Sequence, residues 1–277
     1  MALISEEFDQ FFLQTVRALE PYLGDVVIAG GCANALYRFV PQAEAGPVPM
    51  ITYDVDVIAP TKLPPKTKLL RRALEEKQLL PVESTGRTNK YALMSEANEK
   101  LEFLCPKTGL SRKMKEQAPT LVDFQEGTVA EALDFVQLLQ KHPLSVDLKD
   151  VEALNVTESL PVLVPHPLRY VIQKALIRGR RRESSHKAKD SYYIYEITVL
   201  FRSHLNELAG QLEDLSSKRL SQAVRTLEKQ FSYMSAEGVS EAVGIASEKK
   251  QNISPEAVLR ATQRLIQCLK EKANSAE

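Results

Sequence analysis

The 277-residue sequence predicts an α/β chain of the α+β kind, with a mixed α/β part over residues 1–160 and a mainly helical part over 165–277. Three observations predict it. Short apolar runs alternate with helical patterns as far as about residue 164. The character changes at Pro165-His-Pro167, beyond which helical spacing dominates. Near the start, two apolar stretches carry residues suited to chemistry: Gly30-Gly31 after one, and Asp54-x-Asp56 inside the next. With 44% hydrophobic and 26% charged residues, the chain has enough apolar side chains for a sizeable core.

Taken in order, residues 5–22 place Phe8, Phe11, Phe12, Thr15, Val16 and Leu19 on one helical face, with Ser5 at the entry and Pro21 as the stop. Residues 26–29 read as a strand and 33–39 as a helix, joined by the glycine pair. The Pro/Gly-bearing stretch 42–49 is a loop leading to a strand over 50–58. Pro60 to Pro65 interrupts the pattern before an amphipathic helix over 66–77. Residues 79–82, 90–94 and 101–104 are short strands, and the polar stretch 107–127 shows no clear pattern. Residues 128–140 read as a helix or as a helix giving way to a strand, while 153–154 and 162–164 read as strand edges. Helices are expected over 166–179, 188–203, 204–233, 237–249 and 254–273, the last opened by the cap Ser254-Pro-Glu-Ala.

Bulk properties exclude several classes. Lys plus Arg and Asp plus Glu number 36 each, so no whole-chain field draws in nucleic acid or anionic membrane, and any basic patch is local. Three cysteines, Cys32, Cys105 and Cys268, cannot all pair and lack metal-ligand spacing, which points to reduced thiols and a cytoplasmic setting. The acidic start lacks a signal-peptide pattern, and no run approaches the ~20 apolar residues of a membrane span.

Strand alternation puts Asp54 and Asp56 on one face, with Val55 and Val57 on the other. Adjacent carboxylates in an apolar run are costly unless they coordinate something, so a Mg²⁺ or Mn²⁺ ion is expected there. Thr52, two residues earlier on the same face, is placed to hydrogen-bond the acids or a phosphate. Glu102, in Lys100-Leu-Glu-Phe-Leu, completes a three-acid set if its strand lies in the same sheet. Between residues 178 and 189, six Arg or Lys and one His face one Glu, a dense local positive field. The bland alternatives are a glycine turn chosen for its backbone freedom, an edge-strand glutamate and a solvated loop.

The ordered set of a strand, Gly30-Gly31, the Asp54-x-Asp56 strand and the Glu102 strand resembles the nucleotidyltransferase superfamily that includes DNA polymerase beta. The stretch from Pro165 through Arg180-Arg-Arg to Lys187-Ala-Lys-Asp-Ser-Tyr-Tyr is similar to the helical half of bacterial members, among them the abortive-infection toxin type. The resemblance spans about residues 25–200 and implies a small mixed-sheet core followed by a helical domain. It implies that Gly30 and Gly31 hold a nucleoside triphosphate and that Asp54, Asp56 and Glu102 bind Mg²⁺ or Mn²⁺ and carry the catalysis. It further implies that Lys174, Arg181, Lys189 and Asp190 line the nucleotide side. The implied reaction moves a nucleoside monophosphate to a hydroxyl on RNA, a tRNA end included, or on a protein, and a toxin-type member would have an antitoxin partner. The alternative is a nucleotide- or RNA-binding protein of the same fold that performs no chemistry. This chain departs from the pattern in having Gly31 where serine is common, a long link from Gly30 to Asp54, and Glu instead of Asp as the third acid.

Overall fold

A strand with carboxylates on one face and valines on the other must sit inside a sheet covered on its apolar side. The computed structural model, which describes residues 3–50, 52–82, 88–93, 98–111, 114 and 119–275, builds that sheet around such a strand. The chain divides into two compact units, one of residues 1–40 and 49–165, the other of residues 41–48 and 166–277.

In the first unit, β2 (Asp54–Ile58) lies between β1 (Val27–Ile28), antiparallel to it, and β5 (Lys100–Pro106), parallel to it. Beyond β5 come β4 (Lys90–Leu93) and β3 (Leu79–Pro81), both antiparallel to their neighbours. The later part of β5 also pairs in parallel with β7 (Thr128–Leu133), which forms a hairpin with β6 (Leu121–Gln125). The sheet is therefore mixed. Val55, Val57, Leu101 and Phe103 are fully buried on one face, and Phe103 stacks against Tyr91 and Phe124.

Helix α1 (Glu6–Leu19) starts where Ser5 accepts a hydrogen bond from the Phe8 amide, and it buries the aromatic face read from the sequence. α2 (Gly30–Leu36) begins at the glycine pair itself, and α3 (Leu70–Glu76) starts later than its pattern suggested. The Gln125 side chain accepts from the Leu70 amide and donates to the Leu63 carbonyl, which fixes the chain around that start. β8 (Leu144–Asp147) and β9 (Pro161–Val164) form a separate antiparallel pair.

Several expected elements differ. Residues 128–133 are a strand followed by a short 3₁₀ turn at Val136–Leu138, because pairing with β5 and β6 overrides a pattern equally readable as a helix. The stretch expected to be unpatterned contains β6, joined to β7 through Gly127 at φ 72°. Residues 152–154 form a 3₁₀ turn where a strand edge was expected. Ile51 and Met94, at the ends of two expected strands, lie outside the described residues.

The second unit is helical: α4 (Pro167–Ile177), α5 (Ser184–Leu200), α6 (Leu205–Gly210), α7 (Ser217–Gln230), α8 (Glu237–Glu248) and α9 (Pro255–Ser275). The long helix expected over 204–233 is broken into α6 and α7 after Gly210. Residues 41–48 belong to this unit: the Glu44 amide donates to the Leu200 carbonyl at 2.7 Å, and the Tyr192 hydroxyl donates to the Val48 carbonyl at 2.7 Å. Buried Arg178 pairs with Glu241 at 2.8 Å and Glu237 at 3.1 Å, while Ser191 donates to Glu241, so this arginine ties the end of α4 to α5 and α8.

Candidate active site

The glycine pair and the aspartate strand meet through the backbone. The Ala29 amide donates to the Asp56 carbonyl at 2.8 Å, which brings the start of α2 against β2. Gly30 has φ 61°, and a Cβ there would overlap the Asp56 carboxylate. At Gly31 an added Cβ would come within 2.7 Å of the Thr52 side chain. Glycine is thus required twice, by backbone angle at one position and by close approach at both.

Asp54 and Asp56 are half-buried on the same face of β2. The Thr52 hydroxyl is hydrogen-bonded to the backbone of Asp54, so it braces the strand carrying the acids. The buried Cys32 thiol donates to the Asp54 carbonyl at 3.6 Å. Burial, then Asp56 and Asp54, push that thiol well above its ordinary pKa, which keeps it protonated and removes it as a nucleophile.

Glu102 joins them in register. The parallel pairing sets Asp56 opposite Glu102 and Asp54 opposite Lys100, so these side chains share the face of the aspartates. Glu102 is 18% exposed, and its carboxylate is held by the Lys90 ammonium at 2.7 Å. Among the described residues, no three His, Cys, Asp or Glu side chains are gathered as a ready-made metal site. The donor set nevertheless suits a hard divalent cation: paired carboxylates at a glycine turn, with a third carboxylate one strand away. Sequence reasoning missed Lys90 and Glu131. Lys90 stands opposite Glu102 on β4, and its strand position was the only signal. Glu131 lies on β7 opposite Leu104, where burial and then the Glu102 charge raise its carboxyl pKa.

The other expected residues lie in the helical unit. Lys174 pairs with Asp190 at 3.0 Å, and Arg181 reaches the same carboxylate at 2.9 Å. Burial pushes the Asp190 carboxyl up, but Lys174 and Arg181 outweigh it and hold the carboxyl below the usual range. The Lys174 ammonium also lies 4.9 Å from the centre of the Tyr170 ring and 5.7 Å from that of Tyr193. The structure thus brings Lys174, Arg181 and Asp190 together, while Lys189 is exposed beside them in sequence.

A family model described as nucleotidyltransferase matches residues 12–217. The chain belongs to the nucleotidyltransferase family. The matched span of this nucleotidyltransferase holds the glycine turn, all three acids and the Lys174–Asp190–Arg181 cluster, and membership implies a nucleotide substrate. No curated protein matches the chain. Among the described residues, no helix is long and apolar enough to cross a membrane.

Proposed function

We propose that this nucleotidyltransferase moves a nucleoside monophosphate from a nucleoside triphosphate to an acceptor hydroxyl, with dependence on a divalent metal ion. The observation that carries the reading is the placement of Asp54, Asp56 and Glu102 on one sheet face, with the Gly30 backbone against Asp56. Asp54 and Asp56 would hold the ion, with Glu102 as the third carboxylate. Mg²⁺ or Mn²⁺, when bound, supplies Lewis-acid polarisation and charge neutralisation at the phosphates.

The chain's own residues do the rest. Gly30 and Gly31 let the backbone at the start of α2 pack against Asp56 and Thr52, where it would meet phosphate oxygens, and Thr52 keeps Asp54 in place. Glu102 accepts the proton of the acceptor hydroxyl as its oxygen bonds to the α-phosphorus and the bond to pyrophosphate breaks. The family resemblance would have Lys174, Arg181 and Lys189 neutralise the triphosphate and the departing pyrophosphate, with Asp190 orienting the first two. The exposed cations Arg180, Arg182 and Lys189 favour an RNA acceptor, and similarity to the toxin-type branch makes a tRNA end the first one to test.

The test incubates the protein with labelled nucleoside triphosphates, Mg²⁺ and total RNA, alongside Asp54→Ala and Asp56→Ala. Each substitution is expected to lower label transfer by about 100-fold or more, since each removes a carboxylate that no neighbour replaces. Transfer surviving both would overturn the assignment. Nucleotide binding that needs neither metal nor Asp56 would instead favour a protein that binds without reacting.

A further inference from the structure

Three side chains form one row across three strands. The antiparallel pairing of β4 with β5 sets Lys90 opposite Glu102, and the parallel pairing of β5 with β2 sets Glu102 opposite Asp56. Directly opposed side chains on adjacent strands have Cβ atoms about 5 Å apart, within easy reach of a lysine. Lys90 takes up that reach and closes on Glu102 at 2.7 Å. Asp54 stands two residues before Asp56 on the same strand face, and Glu131 on β7 lies opposite Leu104, two residues on from Glu102 along β5. Lys90 therefore stands in the field of three carboxylates while bonding one of them.

We propose that Lys90 is a resident counter-ion of Glu102 that an incoming divalent metal ion must displace, so that Lys90 sets the metal affinity of the resting protein. The inference rests on the reading of Asp54, Asp56 and Glu102 as metal-binding carboxylates. The physical argument is competition for one group. Glu102 cannot give the same oxygen to an ammonium and to a cation without weakening both. In the resting protein the ammonium offsets repulsion within the row. A metal ion arriving alone must break that pair, whereas one arriving with a triphosphate brings further contacts to offset the loss. Lys90 is a positioning residue here: it acts through Glu102 and makes the resting site favour metal–nucleotide over bare metal.

The experiment titrates the full chain with Mn²⁺ in the absence of nucleotide, following free Mn²⁺ by electron paramagnetic resonance. Lys90→Met should tighten Mn²⁺ binding about two- to fivefold, the range expected for a partly exposed ion pair. Lys90→Arg, which keeps the charge, should match the wild type. Lys100→Met is the control, since Lys100 shares the face but stands opposite Asp54. Misfolding cannot produce a gain in affinity, and Lys90→Gln repeats the test with a polar replacement should Lys90→Met fail to fold. Unchanged or weaker binding in Lys90→Met and Lys90→Gln, or equal tightening by Lys100→Met, would overturn the proposal. Wild-type Mn²⁺ affinity in Asp56→Asn would overturn the metal reading itself, whatever Lys90 does.

Discussion

At Gly30 two constraints fall on one atom that is not there. Its φ of 61° would cost an L-residue about 1–2 kcal/mol, and a Cβ would overlap the Asp56 carboxylate. Gly30→Ala should therefore lower stability by at least about 1 kcal/mol and displace Asp56. Label transfer to RNA should fall more than tenfold, because a displacement of about 1 Å at a reacting centre costs even more in rate. A thermal melt beside the transfer assay checks both, and an active, equally stable variant would contradict the geometry. Gly31 is constrained differently: the Thr52 side chain occupies the space a serine would need there. The departure from the common glycine-serine turn thus has a steric cause in this chain.

The elements α4 and α5 are joined through one carboxylate. Asp190 on α5 bonds Lys174 on α4 and Arg181 in the turn between them, and it is almost completely buried. Asp190→Asn should cost about 3–5 kcal/mol, the penalty for removing one partner of a buried ion pair. Because the folded carboxyl titrates below its ordinary value of about 4, its stabilising contribution is complete above that pH and is lost as pH falls through the lowered value. Thermal melts between pH 7 and pH 2.5 should show the wild type losing stability in the acid limb, and Asp190→Asn losing less of it. Legibility in the sequence divides at this scale too. β2 declared itself because Asp54, Val55, Asp56 and Val57 alternate without a break. β7 did not, because Val129-Ala-Glu-Ala-Leu fits either periodicity until a partner strand decides. Lys174 and Arg181 were visible as cations, but their commitment to Asp190 depends on how α4 turns into α5, which spacing alone does not encode.

Across the whole molecule, the family match stops at residue 217 while the helical unit does not. Arg178 lies within the match, yet its partners Glu237 and Glu241 lie beyond it. Cys268 on α9 donates to the Leu205 carbonyl, and Val258, Leu265 and Leu269 bury the face of that helix. A chain ending at residue 217 should fail to form the helical unit, with Arg178 stranded and the apolar faces of α4 to α6 uncovered. Circular dichroism and gel filtration would check this, a monomer with undiminished helicity per residue being the contrary result. The helical character beyond Pro165 was readable in the sequence, but the place of residues 41–48 in the helical unit was not, since a Pro/Gly loop carries no periodicity. The parallel pairing of Asp56 with Glu102 also has a consequence in time. The two residues are far apart in the chain and meet only when the long intervening segment closes, a non-local step that comes at an entropic cost and slows folding. A nascent chain cannot assemble the acidic row until β5 has emerged, so a partly made protein holds Asp54 and Asp56 without Glu102 opposite the latter.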